Sequence, residues 1–172
     1  MDNGIMILTA GGTIDKVYFD ANSEFQVGEP QIAHILRESR IAVPYQIESI
    51  LQKDSLDLTD EDRALIYSKV SRCKEKRIII THGTDTMAET AKLLSGIDDK
   101  VCVFTGSMEP AKIKSSDAAF NVGCALAAVQ LLPPGSYIAM NGKIFNAVNV
   151  RKNLAKKTFE VLTPEDNSNL PQ

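Results

Sequence analysis

The sequence predicts an α/β fold, a mostly parallel sheet with helices on both faces. Three observations predict it. Five short apolar runs, at residues 5–10, 45–51, 77–81, 101–105 and 137–140, recur along the chain. Stretches of helical period separate them, as expected where helices make the crossovers between parallel strands. The first and third runs stop abruptly at Gly11-Gly12-Thr13 and Gly83-Thr84, where a buried strand gives way to a turn.

Each element has its own signal. The run at 5–10 is closed by two glycines and reads as a buried strand. Residues 15–29 show no helical period and mix aromatic, acidic and small residues. That predicts a long loop of the kind that serves as a lid or binding loop. Pro30 suits the first turn of a helix whose apolar face carries Ile32, Ile35 and Leu36. The second strand, at 45–51, runs into the polar break Lys53-Asp54-Ser55-Leu56-Asp57. Thr59 with Asp62 resembles a capping box, opening a helix that turns Ile66, Val70 and Cys73 inward.

After the third strand and the turn at 82–85, Thr86 and Glu89 repeat the capping-box pattern. They open a helix that buries Met87, Ala91 and Leu94. The fourth strand leads into a polar loop over 106–115. Ser116 or Asp117 then caps a small-residue helix that ends near Leu131, stopped by Pro133-Pro134-Gly135. Beyond the fifth strand, Asn141-Gly142 marks a tight hairpin turn with a return strand at 143–145. The tail from Leu162 is polar, carries two prolines, and reads as an arm or a frayed end. With no internal repeat and no second hydrophobic core, residues 1–172 read as one domain.

Composition narrows the function classes. Hydrophobic content of 44% and charged content of 24% are ordinary for a soluble globular protein. A net charge of -3 argues against a nucleic-acid partner, which usually demands a basic excess. No apolar run approaches the roughly 20 residues of a membrane span, and the first residues lack the basic region of a signal peptide. Cys73, Cys102 and Cys124 are odd in number and widely spaced, which suits reduced core thiols. The expected compartment is the cytoplasm.

Parallel strands place the segments that follow them along one edge of the sheet, where open α/β folds bind their ligands. Those segments bring Thr13, Ser55 and Asp57, Thr84 and Asp85, and Gly106-Ser107 to one rim, with Lys152 beyond the hairpin. Hydroxyls, carboxylates and an ammonium together suit a small zwitterion whose reacting group meets a nucleophile. His34 falls inside a helix, and His82 has no evident orienting partner for a Ser-His-Asp relay. The thiols read as packing, and no cluster has metal-ligand spacing, so neither metal nor cofactor is expected. A hydroxyl nucleophile remains. It needs a group to take its proton, and Lys152 oriented by Asp85 can supply one. Backbone N–H groups near Gly11-Gly12 and Thr84-Asp85 can hold a developing oxyanion.

Each signal also has a plainer reading. Gly11-Gly12-Thr13 is often only a tight turn, and it lacks the dinucleotide-binding spacing. Thr84, Asp85 and Thr86 are all capping types, although three exceed what one cap needs. Ser55 and Asp57 suit a turn, and Lys152 sits among Arg151, Lys156 and Lys157 where solvated lysines are ordinary. Tyr18 serves equally as a loop anchor or as a catalytic phenol. The shared edge makes the case for a site.

Thr9-Ala10-Gly11-Gly12-Thr13-Ile14 and Ile80-Thr81-His82-Gly83-Thr84-Asp85-Thr86-Met87 resemble the two signature motifs of bacterial-type L-asparaginases. Residues 103–110 (VFTGSMEP), 116–121 (SDAAFN) and the stretch from Met140-Asn141 to Val150-Arg151-Lys152 resemble further family segments. Asp54-Ser55-Leu56-Asp57 matches the family's substrate-carboxylate loop more loosely. The resemblance spans residue 5 to about 159 and corresponds to the family's amino-terminal domain. It implies a three-layer αβα sandwich around a flavodoxin-like sheet, with an uncommon left-handed crossover.

It also implies hydrolysis of L-asparagine to L-aspartate and ammonia. Thr13 is then the nucleophile, assisted by Tyr18, with Thr84, Lys152 and Asp85 as a relay. Substrate contacts fall to Ser55, Asp54, Gly12, Gly83 and Ser107, and Asp85 also takes the substrate ammonium. No cofactor is implied, and a homo-oligomer (dimer or tetramer) is. Two departures stand out. Leu56 replaces a polar amide common among relatives, and the chain ends at Gln172 without the second domain that donates an acid to a neighbouring protomer's site. Met1 and the polar tail favour a naturally short form. The competing classes are a non-catalytic amino-acid-binding module and an asparaginase-like subunit of an amidotransferase.

Overall fold

The structure, a computed structural model, describes residues 4–19 and 24–163. At its centre a six-stranded sheet runs in the order β4-β1-β5-β6-β7-β8. Its strands are β1 (Ile5–Gly11), β4 (Tyr45–Lys53), β5 (Arg77–Thr81), β6 (Val101–Thr105), β7 (Gly135–Met140) and β8 (Lys143–Asn146). The first five are parallel, and β8 returns antiparallel along β7. Helices α1 (Ile32–Glu38), α2 (Asp60–Arg72), α3 (Met87–Leu93) and α4 (Ala118–Leu131) cover both faces. This is a three-layer α/β sandwich with the flavodoxin-like strand order. Among the described residues no helix is long and apolar enough to cross a membrane.

The layers follow from side-chain alternation along strands buried on both faces. In β5, Ile78 and Ile80 join Leu8, Phe104, Ile138 and Met140 in a core closed by Ile66 and Val70 of α2 and Met87 and Ala91 of α3. Ile79 points the other way, packing with Ile7, Val103 and Ala139 against Ile32 and Leu36 of α1 and Val122 and Ala125 of α4. Each such isoleucine is fully buried, and each burial is worth about 1.5–3 kcal/mol. The Thr59–Asp62 capping box forms as expected: Asp62 N–H donates to Thr59 Oγ1 at 3.3 Å and Thr59 N–H donates to Asp62 Oδ2 at 3.0 Å. Asn141 and Gly142 have φ of 55° and 72°, the left-handed pair a tight β7–β8 turn requires.

Three local expectations are corrected, and a fourth is settled between the two residues it named. Residues 15–29 are not an irregular loop but carry an antiparallel hairpin, β2 (Lys16–Phe19) with β3 (Glu24–Val27), residues 20–23 lying outside the described residues. Pro30 lies ahead of α1, because the Gln31 N–H is taken by Asp15 Oδ1 at 2.8 Å and the helix starts at Ile32. Thr86 and Glu89 make no capping box: the Thr86 hydroxyl donates to Ser55 O at 2.9 Å and Glu89 pairs with Arg63. Asp117 occupies the N-cap position of α4, yet its carboxylate accepts from the Met108 and Glu109 N–H groups; it is the Ser116 hydroxyl that accepts from Ala118 N–H. Past β8 a second hairpin, β9 (Val150–Asn153) with β10 (Thr158–Val161), precedes the tail, of which residues 164–172 lie outside the described residues.

The segments at the carboxyl ends of the strands pack backbone against backbone. Gly11 and Gly12 have φ of 95° and 91°. A Cβ on Gly12 would stand 2.4 Å from Gly83 Cα, and one on Gly83 would stand 2.6 Å from Ser55 Oγ. A Cβ on Gly106 would reach 2.5 Å from His82 O. Only glycine fits at Gly12, by both contact and φ.

Asp15 anchors the start of the β2–β3 hairpin. Its carbonyl accepts from Gly28 N–H at 2.8 Å, its carboxyl holds Gln31 N–H, and the residue is buried. Burial pushes its pKa up to about 7; the Gln31 N–H opposes that and the nearby Glu29 adds to it.

Two outcomes test this frame. The folded protein binds a proton at Asp15 that the unfolded chain, with its pKa of 3.8, has released, so Asp15's contribution to stability is lost as pH rises toward 7. In melting scans Asp15→Asn, which keeps the acceptor and drops the charge, should gain on wild type by about 5 °C between pH 5 and pH 8. A pH-independent difference would contradict the buried carboxyl. In urea titrations Gly12→Ala should lose about 2–4 kcal/mol, and a neutral result would refute the close approach of the two turns.

Candidate active site

The strand order reverses between β1 and β5: the chain leaves β1 for β4 on one side and returns to β5 on the other. Ligands of doubly wound sheets bind at this reversal, beyond the carboxyl ends of the strands. Thr13 follows β1 and Thr84 follows β5, so the two threonines flank it, and their neighbours Gly12 and Gly83 are in backbone contact. Thr13 opens a single 3₁₀ turn, Thr13–Asp15, directly after the left-handed glycines. It is partly exposed, and its hydroxyl has no hydrogen-bond partner among the described residues.

Thr84 is buried, and its Oγ1 accepts from Lys152 Nζ at 2.7 Å. The same ammonium donates to Asp85 Oδ1, also at 2.7 Å, and the Lys152 side chain is only 14% exposed. The basic run around it divides by alternation along β9, with Arg151 turned to Glu160 across the hairpin. The hairpin is held in place because Phe159 N–H donates to Asn141 Oδ1 at 2.8 Å. Sequence reasoning read Asn141 as a turn former only. Its side chain positions the strand that carries Lys152.

Ser55 starts the 3₁₀ turn Ser55–Asp57 after β4; it is buried, and its Oγ has no partner among the described residues. Its carbonyl is tied to Thr86, which joins this turn to the one that carries Thr84 and Asp85. The Asp54 carboxylate is fully engaged: Oδ1 accepts from Leu56 N–H at 3.2 Å and Oδ2 pairs with Lys16 at 2.7 Å. The buried Ser107 hydroxyl donates to Glu109 O at 2.5 Å. Tyr18 stands on β2, about half exposed, its ring edge-on to Phe25 at 5.5 Å and its hydroxyl without a hydrogen bond to the rim. The structure therefore joins Thr84, Asp85 and Lys152 by hydrogen bonds and packs Gly12, Gly83 and Ser55 against one another, with Thr13 next to Gly12; the side chains of Thr13, Tyr18, Asp54 and Ser107 make no hydrogen bond to Thr84, Asp85 or Lys152.

His82 turns inward. Its Nδ1 bonds the Gly83 carbonyl at 2.8 Å, fixing the turn before Thr84, and its ring lies edge-on to Phe104 at 5.9 Å. Burial lowers its pKa to about 4, the Gly83 carbonyl opposing and the Arg63 charge assisting, so it stays neutral near pH 7. Burial likewise raises the Cys73 and Cys102 thiols to about 11 and about 12. Among the described residues no three His, Cys, Asp or Glu side chains are grouped to hold a metal ion.

A cleft of about 440 Å³ opens beside Asp85 and Lys152, walled by Ala88 of α3 and by Val148, Val150 and Leu154. A larger one, about 590 Å³, lies between α1 and residues 111–119 and contains none of the rim side chains. Of the rim side chains the smaller cleft is lined by Asp85 and Lys152, while Thr13, Ser55 and Thr84 lie outside its wall.

The chain is 31% identical over 173 residues to a glutaminase-asparaginase of Acinetobacter glutaminasificans, covering 88% of this chain and 50% of that protein. It is 32% identical over 134 residues to one subunit of the glutamyl-tRNA(Gln) amidotransferase of Thermococcus kodakarensis, covering 70% of this chain and 29% of that one. The thermostable L-asparaginase from Thermococcus kodakarensis superposes with a TM-score of 0.80 at 29% identity, covering 92% of this chain and 51% of the other. The chain thus spans about half the length of the asparaginases it matches. A profile of the family described as "Asparaginase, N-terminal" matches residues 4–166, and the chain belongs to that family.

Proposed function

We propose that this protein hydrolyses the side-chain amide of L-asparagine to L-aspartate and ammonia through an acyl-threonine intermediate. The contact of Lys152 Nζ with both Thr84 Oγ1 and Asp85 Oδ1, at the reversal point Thr13 shares, is the observation that carries the reading. Thr13 Oγ1 attacks the amide carbon while its proton passes by way of the Thr84 hydroxyl to the Lys152 amine, which has given a proton to Asp85. The backbone N–H groups around Gly11-Gly12 and Thr84-Asp85 stabilise the oxyanion. The intermediate collapses as the proton taken up by Lys152 is returned to the amide nitrogen, and ammonia leaves. Water then attacks the aspartyl ester, releases aspartate and restores the Thr13 hydroxyl.

Tyr18 assists from the β2 strand, Ser55 and Asp54 hold the α-carboxylate end through their turn, Asp85 holds the ammonium, and the backbone of Ser107 meets the amide. The site works within a homo-oligomer, where a second copy closes the rim. A second reading is favoured by the likeness to the amidotransferase component: the same chemistry, with ammonia handed to a partner chain.

The measurement is ammonia release from asparagine by purified protein. Thr13→Ala should abolish turnover while the melting temperature stays within a few degrees of wild type. Lys152→Met should lower kcat by about 10²–10⁴-fold, the range of a proton-transfer group. Asparagine binding without ammonia from wild type would leave an amino-acid-binding module, and turnover only with a partner protein would favour the amidotransferase reading. Full activity in Thr13→Ala would refute the proposed nucleophile.

A further inference from the structure

We infer that Lys16 is a positioning residue that turns the Tyr18 face of the β2–β3 hairpin toward the Ser55 turn. The inference rests on the proposed function for its kinetic arm only. Lys16 Nζ lies 2.7 Å from Asp54 Oδ2, and the two side chains are 26% and 27% exposed. The other oxygen of the same carboxylate accepts from Leu56 N–H inside the Ser55–Asp57 turn. One carboxylate therefore joins the first residue of the hairpin to the turn proposed to hold the substrate's carboxylate.

Alternation along β2 gives the contact its consequence. Lys16 and Tyr18 are two residues apart, so they project from one face of the hairpin, while Val17 projects from the other. The register places Val27 opposite Lys16 and Phe25 opposite Tyr18, and the edge-on Tyr18–Phe25 ring pair occupies that same face. Val17 packs on the reverse side, where a Cβ on Gly28 would stand 2.9 Å from its Cγ2. The hairpin base is fixed a second time through Asp15, which accepts from both Gly28 N–H and Gln31 N–H. Asp15 sets where the hairpin begins; Lys16 sets which face meets the Ser55 turn. A partly exposed ion pair adds little to global stability, so its effect is expected in local order and in kcat.

Hydrogen exchange and ammonia kinetics on the full chain test this. Lys16→Met should raise exchange at Lys16–Phe19 and Glu24–Val27 by about two- to fivefold, with β4 and β5 unchanged, and Lys16→Arg should restore protection. Lys16→Met should lower kcat more than it changes KM, and that loss should vanish when Tyr18→Phe is already present. Unchanged hairpin exchange overturns the inference, as does a kcat loss that simply adds to that of Tyr18→Phe. An inactive wild type would overturn the proposed function instead. The exchange pattern and its rescue by arginine then decide alone whether Lys16 sets the hairpin.

Discussion

One ammonium, on Lys152, joins parts of the chain that sequence separates by 67 and 68 residues. It meets the Thr84 hydroxyl and the Asp85 carboxylate at the same distance, on a strand that belongs to neither the central sheet nor its helices. Much of the surrounding structure makes that meeting possible. Asn141 holds the β9–β10 hairpin, His82 braces the Gly83 carbonyl, and Thr86 pins the Ser55 turn beside it. An ammonium so enclosed would be costly without its two acceptors, since burying a charge is tolerated only with paired and hydrogen-bonded partners.

The rim is built where the core changes character. Along β1, β5 and β6 the buried row of isoleucine, valine and phenylalanine ends in Thr9, Thr81 and Thr105, which lie in lateral register and are all buried. Thr105 bonds Ala139 O, whereas Thr9 and Thr81 have no side-chain partner among the described residues. Each unsatisfied hydroxyl costs about 1–3 kcal/mol, a cost the hydrophobic layers on both faces are large enough to absorb. Beyond this row the close-packed glycines leave no room for side chains. The turns are thereby rigid, and rigid turns suit a site whose groups must stay in register during reaction.

Some of this was legible in the amino-acid order and some was not. β5 and β6 start and stop where their apolar runs do, because a strand buried on both faces has no other composition available to it. The rim residues were legible as well, since topology alone sends every parallel strand's exit to one edge. The two small hairpins were not. Lys16–Phe19 and Glu24–Val27 are largely exposed, so pairing rather than burial defines them, and the pairing depends on distant anchors such as Asp15 and Asn141. For the same reason the strand beneath Lys152 has no apolar signal of its own, although Lys152 itself stands out from its basic neighbours by its place beyond the fifth strand. The Thr86–Glu89 pattern failed because a buried carbonyl at Ser55 competed for the hydroxyl and won.

The central claim is that Thr13 becomes covalently acylated while Thr84, Lys152 and Asp85 manage the proton. Its most direct measurement is acid-quenched mass spectrometry of the peptide that contains Thr13, taken during turnover with saturating asparagine. The account predicts an aspartyl ester on Thr13 that forms and decays at rates consistent with turnover. Steady ammonia release with no adduct, or an adduct carried by a different residue, would contradict it.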